Sequence, residues 1–263
     1  FNNKNILLME EDLRKIFDQN GLSDYKFHNI NLYRNTFVHK SYCTMKNADF
    51  NQGNQKCPED CLPLQEMSYE RLEFLGDSLL GMIVASYLYE RFPDQPEGFL
   101  SKLRTKLVNG KMLGFLSEKI GFPKYAIISK QVEDVNGRNN YKIMEDIFEA
   151  FIAALYLDQC DQGFHICQKY IIYIIENYLD FTELILQKTN YKDLLVSYMQ
   201  HHLQDQPRFF EINIVTKDNN KVFTYCIKDK NNTVIATAKG PTKKDAENNV
   251  SLEALKYYGI SIQ

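Results

Sequence analysis

The chain has 263 residues, of which 44% are hydrophobic and 25% charged, with 12 Gly, 7 Pro and a formal net charge of −3. That length suits two domains of ordinary size, and the composition is globular rather than disordered or fibrous. The slight negative charge argues against a non-specific nucleic-acid binder, and Glu73, Asp77, Glu90, Asp146, Glu149 and Glu176 interrupt the apolar stretches, so no membrane span is expected.

The charge is unevenly divided: residues 1–189 hold 21 Lys+Arg against 26 Asp+Glu, whereas residues 190–263 hold 10 against 8. The C-terminal part is therefore the better candidate for meeting phosphate. Residues 1–15 show neither a basic start followed by an apolar run nor an Arg-rich amphipathic pattern, so no secretory or organellar signal is expected. Six cysteines, at positions 43, 57, 61, 160, 167 and 226, read as free thiols of a reducing compartment, which implies an intracellular protein, cytoplasmic or nuclear.

From Leu7 to about Ile185 apolar residues recur at helical spacing, and the region is predicted to be all-helical, with polar loops over residues 46–67 and 131–140. The helix that begins Glu70-Arg-Leu-Glu73-Phe-Leu-Gly-Asp77-Ser places Glu70, Glu73 and Asp77 at i, i+3 and i+7, on one face. A solvated charged stripe is the ordinary meaning of such spacing. Here nearly every other position from Leu72 to Tyr89 is apolar or small, so Glu73 and Asp77 are expected to be partly desolvated.

A second helix, around Asp146-Ile-Phe-Glu149-Ala-Phe-Ile-Ala-Ala, repeats the conflict, with Asp146 and Glu149 sharing a face at i and i+3. Ionised carboxylates in apolar surroundings need a counter-charge. Neither helix interior offers a base near the acids except Arg71, so a hard divalent cation, Mg²⁺ or Mn²⁺, in an all-oxygen cage is favoured over a structural ion pair.

These strings resemble the ribonuclease III family. Glu70 to Ser78 is similar to the family signature and Asp146 to Ala154 to its second acidic motif. Glu97-Gly-Phe-Leu-Ser-Lys-Leu-Arg104 is similar to the intermediate segment, and Thr36-Phe-Val-His-Lys-Ser-Tyr42 to the first helix motif. The likeness covers roughly residues 25–185. It implies that Glu73, Asp77, Asp146 and Glu149 ligate Mg²⁺, which Mn²⁺ can replace, with Asp77 and Glu149 central to catalysis. Glu70 and Glu97 would assist at the edge of the site or at a subunit interface.

The resemblance further implies a homodimer, each subunit cutting one strand of a double-stranded RNA to leave 5′-phosphate and 3′-hydroxyl ends with short 3′ overhangs. Divalent ions serve such hydrolysis by making water a usable nucleophile near neutral pH and by stabilising charge on the phosphate. Two departures stand out: Tyr69 replaces the usual Asn, and residues 46–67 are longer than the matching loop of small bacterial members. Neither is expected to touch a ligand.

After Asn190 a helix (191–202) precedes three runs rich in β-branched and aromatic residues, 209–215, 222–227 and 233–238, and a last helix begins near Thr242 and ends before Gly259. Thr242-Lys243-Lys244 sets two cations at that helix N-terminus, where backbone N–H groups also favour phosphate. The α-β-β-β-α order resembles the double-stranded RNA-binding domain, which reads A-form shape more than sequence. RNA contacts are assigned to Lys243, Lys244, Thr242, Gln200 and Asn219. Val196 and Ser197 stand where polar contacts are usual, and Asn219 where many members have His in a loop that lacks their Gly-Pro. Weaker binding than a typical member is expected.

Cys57-Pro-Glu-Asp-Cys61 has metal-like spacing and, with His39 and Cys43, supplies four possible zinc ligands, but an ordinary loop is the preferred reading. The fold class is therefore α+β: an all-α catalytic domain over residues 1–188, with an N-terminal extension, and a small RNA-binding domain over 189–263. The leading function is a double-strand-specific endoribonuclease of RNA processing. The alternative is a non-catalytic protein that sequesters double-stranded RNA.

Overall fold

The computed structural model describes residues 1–44, 56–186, 191–217, 220–230 and 232–260. By contact density the chain divides into two units, Phe1–Ile185 and Leu186–Gln263. The first contains α1 (Glu10–Gln19), α2 (Ile30–Asn35), α3 (Glu70–Arg91), α4 (Glu97–Leu107), α5 (Gly110–Ile120), α6 (Lys130–Asp134), α7 (Tyr141–Asp158) and α8 (Gly163–Tyr178), and α9 (Phe181–Leu186) runs across the division.

The sequence of α7 dictates its place. Asn140 caps it by accepting from Lys142 N at 2.8 Å, and thereafter Ile147, Phe148 and Ala150 through Leu155 are all buried. A helix apolar on every side must be surrounded, and α3, α5 and α8 pack around this one. The aromatic side of the core gathers on Phe151, whose ring lies 4.8 Å from that of Phe122, 5.5 Å from Tyr33 and 5.8 Å from Phe17 and Tyr170.

At its far end α7 is stapled by Asp158, a buried carboxylate. It accepts from the hydroxyls of Tyr25 (2.8 Å) and Tyr33 (3.1 Å) and from the backbone N–H groups of His28 (2.9 Å) and Asn29 (2.8 Å). Four donors offset the cost of burying its charge. The N-terminal stretch belongs to this unit as well: the side chains of Asn2 and Asn5 both donate to Ile128 O, at 3.1 and 2.9 Å.

Several local expectations are corrected. Residues 131–140 are not a plain loop: Ser129 accepts from Val132 N and starts α6, and a 3₁₀ turn follows at Gly137–Asn139. Thr36 to Tyr42 is not an α-helix. α2 ends at Asn35, Val38 bridges Ile127, and only a 3₁₀ turn, Lys40–Tyr42, follows. α3 is also less covered than its composition suggests, since Phe74 is 79% exposed and Met82 and Tyr89 are exposed with it. Although it was not expected to, α3 passes for a membrane span by length and composition; in the fold it packs on α7.

The second unit is α10 (Tyr191–Tyr198), extended by a π turn at Met199–Leu203, then β1 (Arg208–Lys217), β2 (Asn220–Lys228), β3 (Val234–Gly240) and α11 (Lys243–Tyr257). The sheet is antiparallel in the order β1-β2-β3, with Phe209 opposite Ile227 and Tyr225 opposite Ala238, and β1 bulges between Glu211 and Asn213. Tyr225, Ile227 and Ala236 of the sheet meet Leu195 and Met199 and, from α11, Ala246, Val250, Ala254 and Leu255.

Candidate active site

The acidic residues meet where α3 crosses α7. The crossing is close because Gly76 has no side chain: a Cβ there would stand 1.8 Å from the carbonyl oxygen of Glu149. This contact sets the two carboxylate pairs against each other. Glu73, Asp146 and Glu149 each present an oxygen, and these atoms lie within 4.8 Å of one another.

Burial and mutual repulsion mark the group. Glu149 is 5% exposed, and burial, the neighbouring Asp77 and then Glu145 push its carboxyl up to about 8. Burial, followed by Asp146, raises Glu73 as well. Asp77 does not join the three-oxygen cluster and is exposed, contrary to the expected desolvation, on the side of α3 where Phe74, one turn before it, is also open to solvent. It faces the group through its effect on Glu149.

A base does serve these acids, from outside the helix interiors in which only Arg71 was expected near them. Lys142, in the first turn of α7, sets its ammonium 2.8 Å from Asp146 Oδ1, 3.3 Å from Glu145 and 3.9 Å from Glu73. Lys142 therefore offers Oδ1 a counter-charge, yet this buried oxygen has no well-formed hydrogen bond among the described residues. The other oxygen, Oδ2, accepts from the hydroxyl of Tyr69 at 3.3 Å. Tyr69 thus does touch one of the candidate ligands, contrary to expectation, and no local spacing signals it, since 77 positions separate the two residues.

Such a set of oxygens, one of them buried and without a well-formed hydrogen bond among the described residues, fits a hard divalent cation. Glu70 stands apart: it pairs with Lys40 at 3.1 Å and faces an apolar groove of about 680 Å³ lined also by Leu32, Met67, Leu72, Leu75 and Leu157. Glu97 opens α4, is exposed and accepts from Ser101 Oγ at 2.6 Å. It belongs to none of the metal-capable groups among the described residues.

The zinc constellation does not assemble among the described residues. Cys57 Sγ is directed to Cys61 O, Cys61 to Asp60, and His39 Nδ1 to Ser41. In the second unit Thr242 caps α11, accepting from Asp245 N at 3.1 Å, and Gly240 lets the end of β3 approach Ala246. Lys243 and Lys244 are exposed beside that cap, with Lys243 Nζ 5.9 Å from the centre of the Tyr225 ring. Gln200 is exposed in the π turn, and Asn219 lies outside the described residues.

Both units match known families. Residues 70–160 match the family described as Ribonuclease III domain, and residues 191–258 the Double-stranded RNA binding motif. Ribonuclease 3 of Leptospira interrogans is 31% identical over 241 residues, 92% of this chain and 88% of its own. Ribonuclease 3 of Treponema denticola is 31% identical over 92% of this chain and 89% of its own. The nuclease domain of ribonuclease III from Campylobacter jejuni superposes with a TM-score of 0.50 at 27% identity, covering 65% of this chain and 97% of that one.

Proposed function

The chain belongs to the ribonuclease III family and is an endoribonuclease acting on double-stranded RNA, and we propose that it does so with Mg²⁺ held by Glu73, Asp77, Asp146 and Glu149. The observation that carries this reading is the crowding of Glu73, Asp146 and Glu149 within 4.8 Å, on a crossing that only Gly76 permits. When bound, Mg²⁺ supplies a water nucleophile and counter-charge for the phosphate, and Mn²⁺ can take its place. The chain's own contribution is a rigid, partly desolvated cage, with Lys142 countering its charge from the solvent side. The products are 5′-phosphate and 3′-hydroxyl ends with short 3′ overhangs.

A homodimer completes the reading. One chain has one acidic cluster and serves one strand, whereas a two-fold pair matches a duplex. Phe74, 79% exposed, and the neighbouring groove lined by Leu72, Leu75, Met67 and Leu157 form complementary knob and socket features for a second copy. Glu70 and Leu72 through Leu75 lie near the symmetry axis, and Glu97 borders the duplex. The C-terminal module adds affinity through Thr242, Lys243, Lys244, Gln200 and Asn219, and residues 1–188 and 189–263 act as separate domains. Cys43, Cys57, Cys61, Cys167 and Cys226 are free thiols, which suits an intracellular site of action.

The test is to incubate the protein with a long RNA duplex and with single-stranded RNA, with Mg²⁺, with Ca²⁺ and with chelator, and to map the ends. Mg²⁺-dependent cutting of the duplex alone, with binding but no cutting in Ca²⁺, is expected. Binding without cutting in Mg²⁺ would favour the sequestering alternative, and full cutting in chelator would refute the metal site.

A further inference from the structure

Among the residues around the acidic cluster, Tyr69 is the one that differs from the family's usual Asn, and it is also fixed with unusual firmness. It is 2% exposed, its N–H donates to Val38 O at 2.9 Å, its carbonyl accepts from Glu73 N at 2.9 Å, and its ring lies against His39 with centroids 5.9 Å apart. Backbone and ring are thus both held, so the hydroxyl has a set position rather than a range of them. An Asn side chain at the same backbone site is shorter by nearly the whole ring and would not span this gap.

We propose that Tyr69 is a positioning residue of the metal site, which holds Oδ2 of Asp146 and thereby leaves Oδ1 of the same carboxylate for the ion. This rests on reading Asp146 as a ligand. The two oxygens of Asp146 are in different situations: one accepts from Tyr69 at 3.3 Å, while the other is buried without a well-formed hydrogen bond among the described residues. Lys142 is the counter-charge nearest the second oxygen, and it is a largely exposed side chain that can swing away. Tyr69 cannot. In this contact the phenol is the donor, because an ionised carboxylate oxygen can only accept. A donor on one oxygen of a carboxylate restricts its rotation and prepays part of the entropy of binding an ion on the other.

Loss of such an outer partner typically costs about 10- to 100-fold in metal affinity. The experiment is Tyr69→Phe, which deletes one atom, together with Tyr69→Asn. Both are read by the Mg²⁺ concentration giving half-maximal duplex cleavage and, without RNA, by the Mg²⁺-induced rise in melting temperature. Expected for Tyr69→Phe is a midpoint raised about tenfold, a maximal rate at saturating Mg²⁺ close to that of the unaltered chain, and a smaller Mg²⁺-induced rise. Tyr69→Asn should shift the midpoint in the same direction.

Tyr170→Phe is the control, since the Tyr170 hydroxyl is buried without a hydrogen-bond partner among the described residues and its loss should leave the midpoint unchanged. A wild-type midpoint and wild-type Mg²⁺-induced rise in either folded Tyr69 variant would overturn the assignment. Asp146→Asn and Glu149→Gln separate the two readings. If these still bind Mg²⁺ as the unaltered chain does, the metal site itself is wrong; if they fail while Tyr69→Phe does not, only the role of Tyr69 falls.

Discussion

The carboxylates at the α3–α7 crossing and the lysines at the start of α11 are both charged groups suited to an RNA enzyme, yet they are held in different ways. Glu149 is 5% exposed, pushed up to about 8, and rooted at a backbone contact that admits no side chain on Gly76. Lys243 and Lys244 are exposed, and their helix is secured instead by the Thr242 cap and by the apolar residues one turn further on. Groups of the first kind are interdependent, and the removal of one leaves the others repelling in a poorly solvated place. Groups of the second kind act singly through water and salt. Loss at the crossing should therefore be all-or-none, and loss at the lysines graded.

The largest effect expected is on chemistry. Asp77→Asn or Glu149→Gln should lower cleavage by more than about 100-fold, beyond what loss of an outer-shell partner costs. Duplex binding, measured by gel shift, should persist because the second unit is untouched. Substantial activity in either variant would break the comparison at its stronger end.

Next comes the crossing itself. Gly76→Ala sets a methyl group 1.8 Å from Glu149 O, a distance that backbone movement must relieve. Overpacking of this kind costs about 1–3 kcal/mol or more, readable as a lower midpoint in urea, and an unchanged midpoint would show that α3 and α7 part easily.

The pH dependence of the metal-free protein is a smaller but more specific effect. Glu149 rises from its usual 4.5 to about 8 and Glu73 is raised too, so the folded state binds more protons than the unfolded state across this window. Stability from these groups is fully present below about 4.5 and is lost as pH climbs through about 8. Melting temperatures should fall between pH 5 and pH 8.5 without metal, and Mg²⁺ should restore most of the loss at the upper end. A rise over the same range, without metal, would contradict the raised carboxyls.

The mildest change is Lys243→Ala with Lys244→Ala. Binding should weaken alike for all duplex sequences, and the log–log salt slope should flatten by about one unit for each phosphate that is no longer neutralised. At low salt cleavage should continue, both in this variant and in residues 1–188. Inactivity of a folded 1–188 fragment at low salt would mean that the module does more than assist.

The sequence disclosed the parts of this arrangement that conflict with their surroundings. Acids in helices as apolar as those around Glu73 and Glu149 are legible because burying charge is costly, and the α-β-β-β-α order is legible because helical periodicity changes to β-branched runs after residue 190. Pairings that the crossing creates are not legible. Tyr69 reaches Asp146 across 77 positions, and only the packing of α3 on α7 sets that distance. Lys142 is within reach of sequence reasoning, since it stands four residues before Asp146 on the same helix face, but it lies in the first turn, outside the apolar helix interior where the conflict is strongest. The exposure of Asp77 and Phe74 is hidden for a different reason: an apolar helix reads the same whether its neighbour is its own chain or a second copy.

The measurement that bears most directly on the metal site is calorimetric titration of Mg²⁺ into the protein at pH 7, repeated in buffers of different ionisation enthalpy and with Glu149→Gln. A carboxyl at about 8 is mostly protonated at that pH, so binding should release about one proton per site, and Glu149→Gln should bind far more weakly with no such release. Binding of equal strength in the variant, or binding with no proton released by the unaltered chain, would contradict the assignment of Glu149 to the metal.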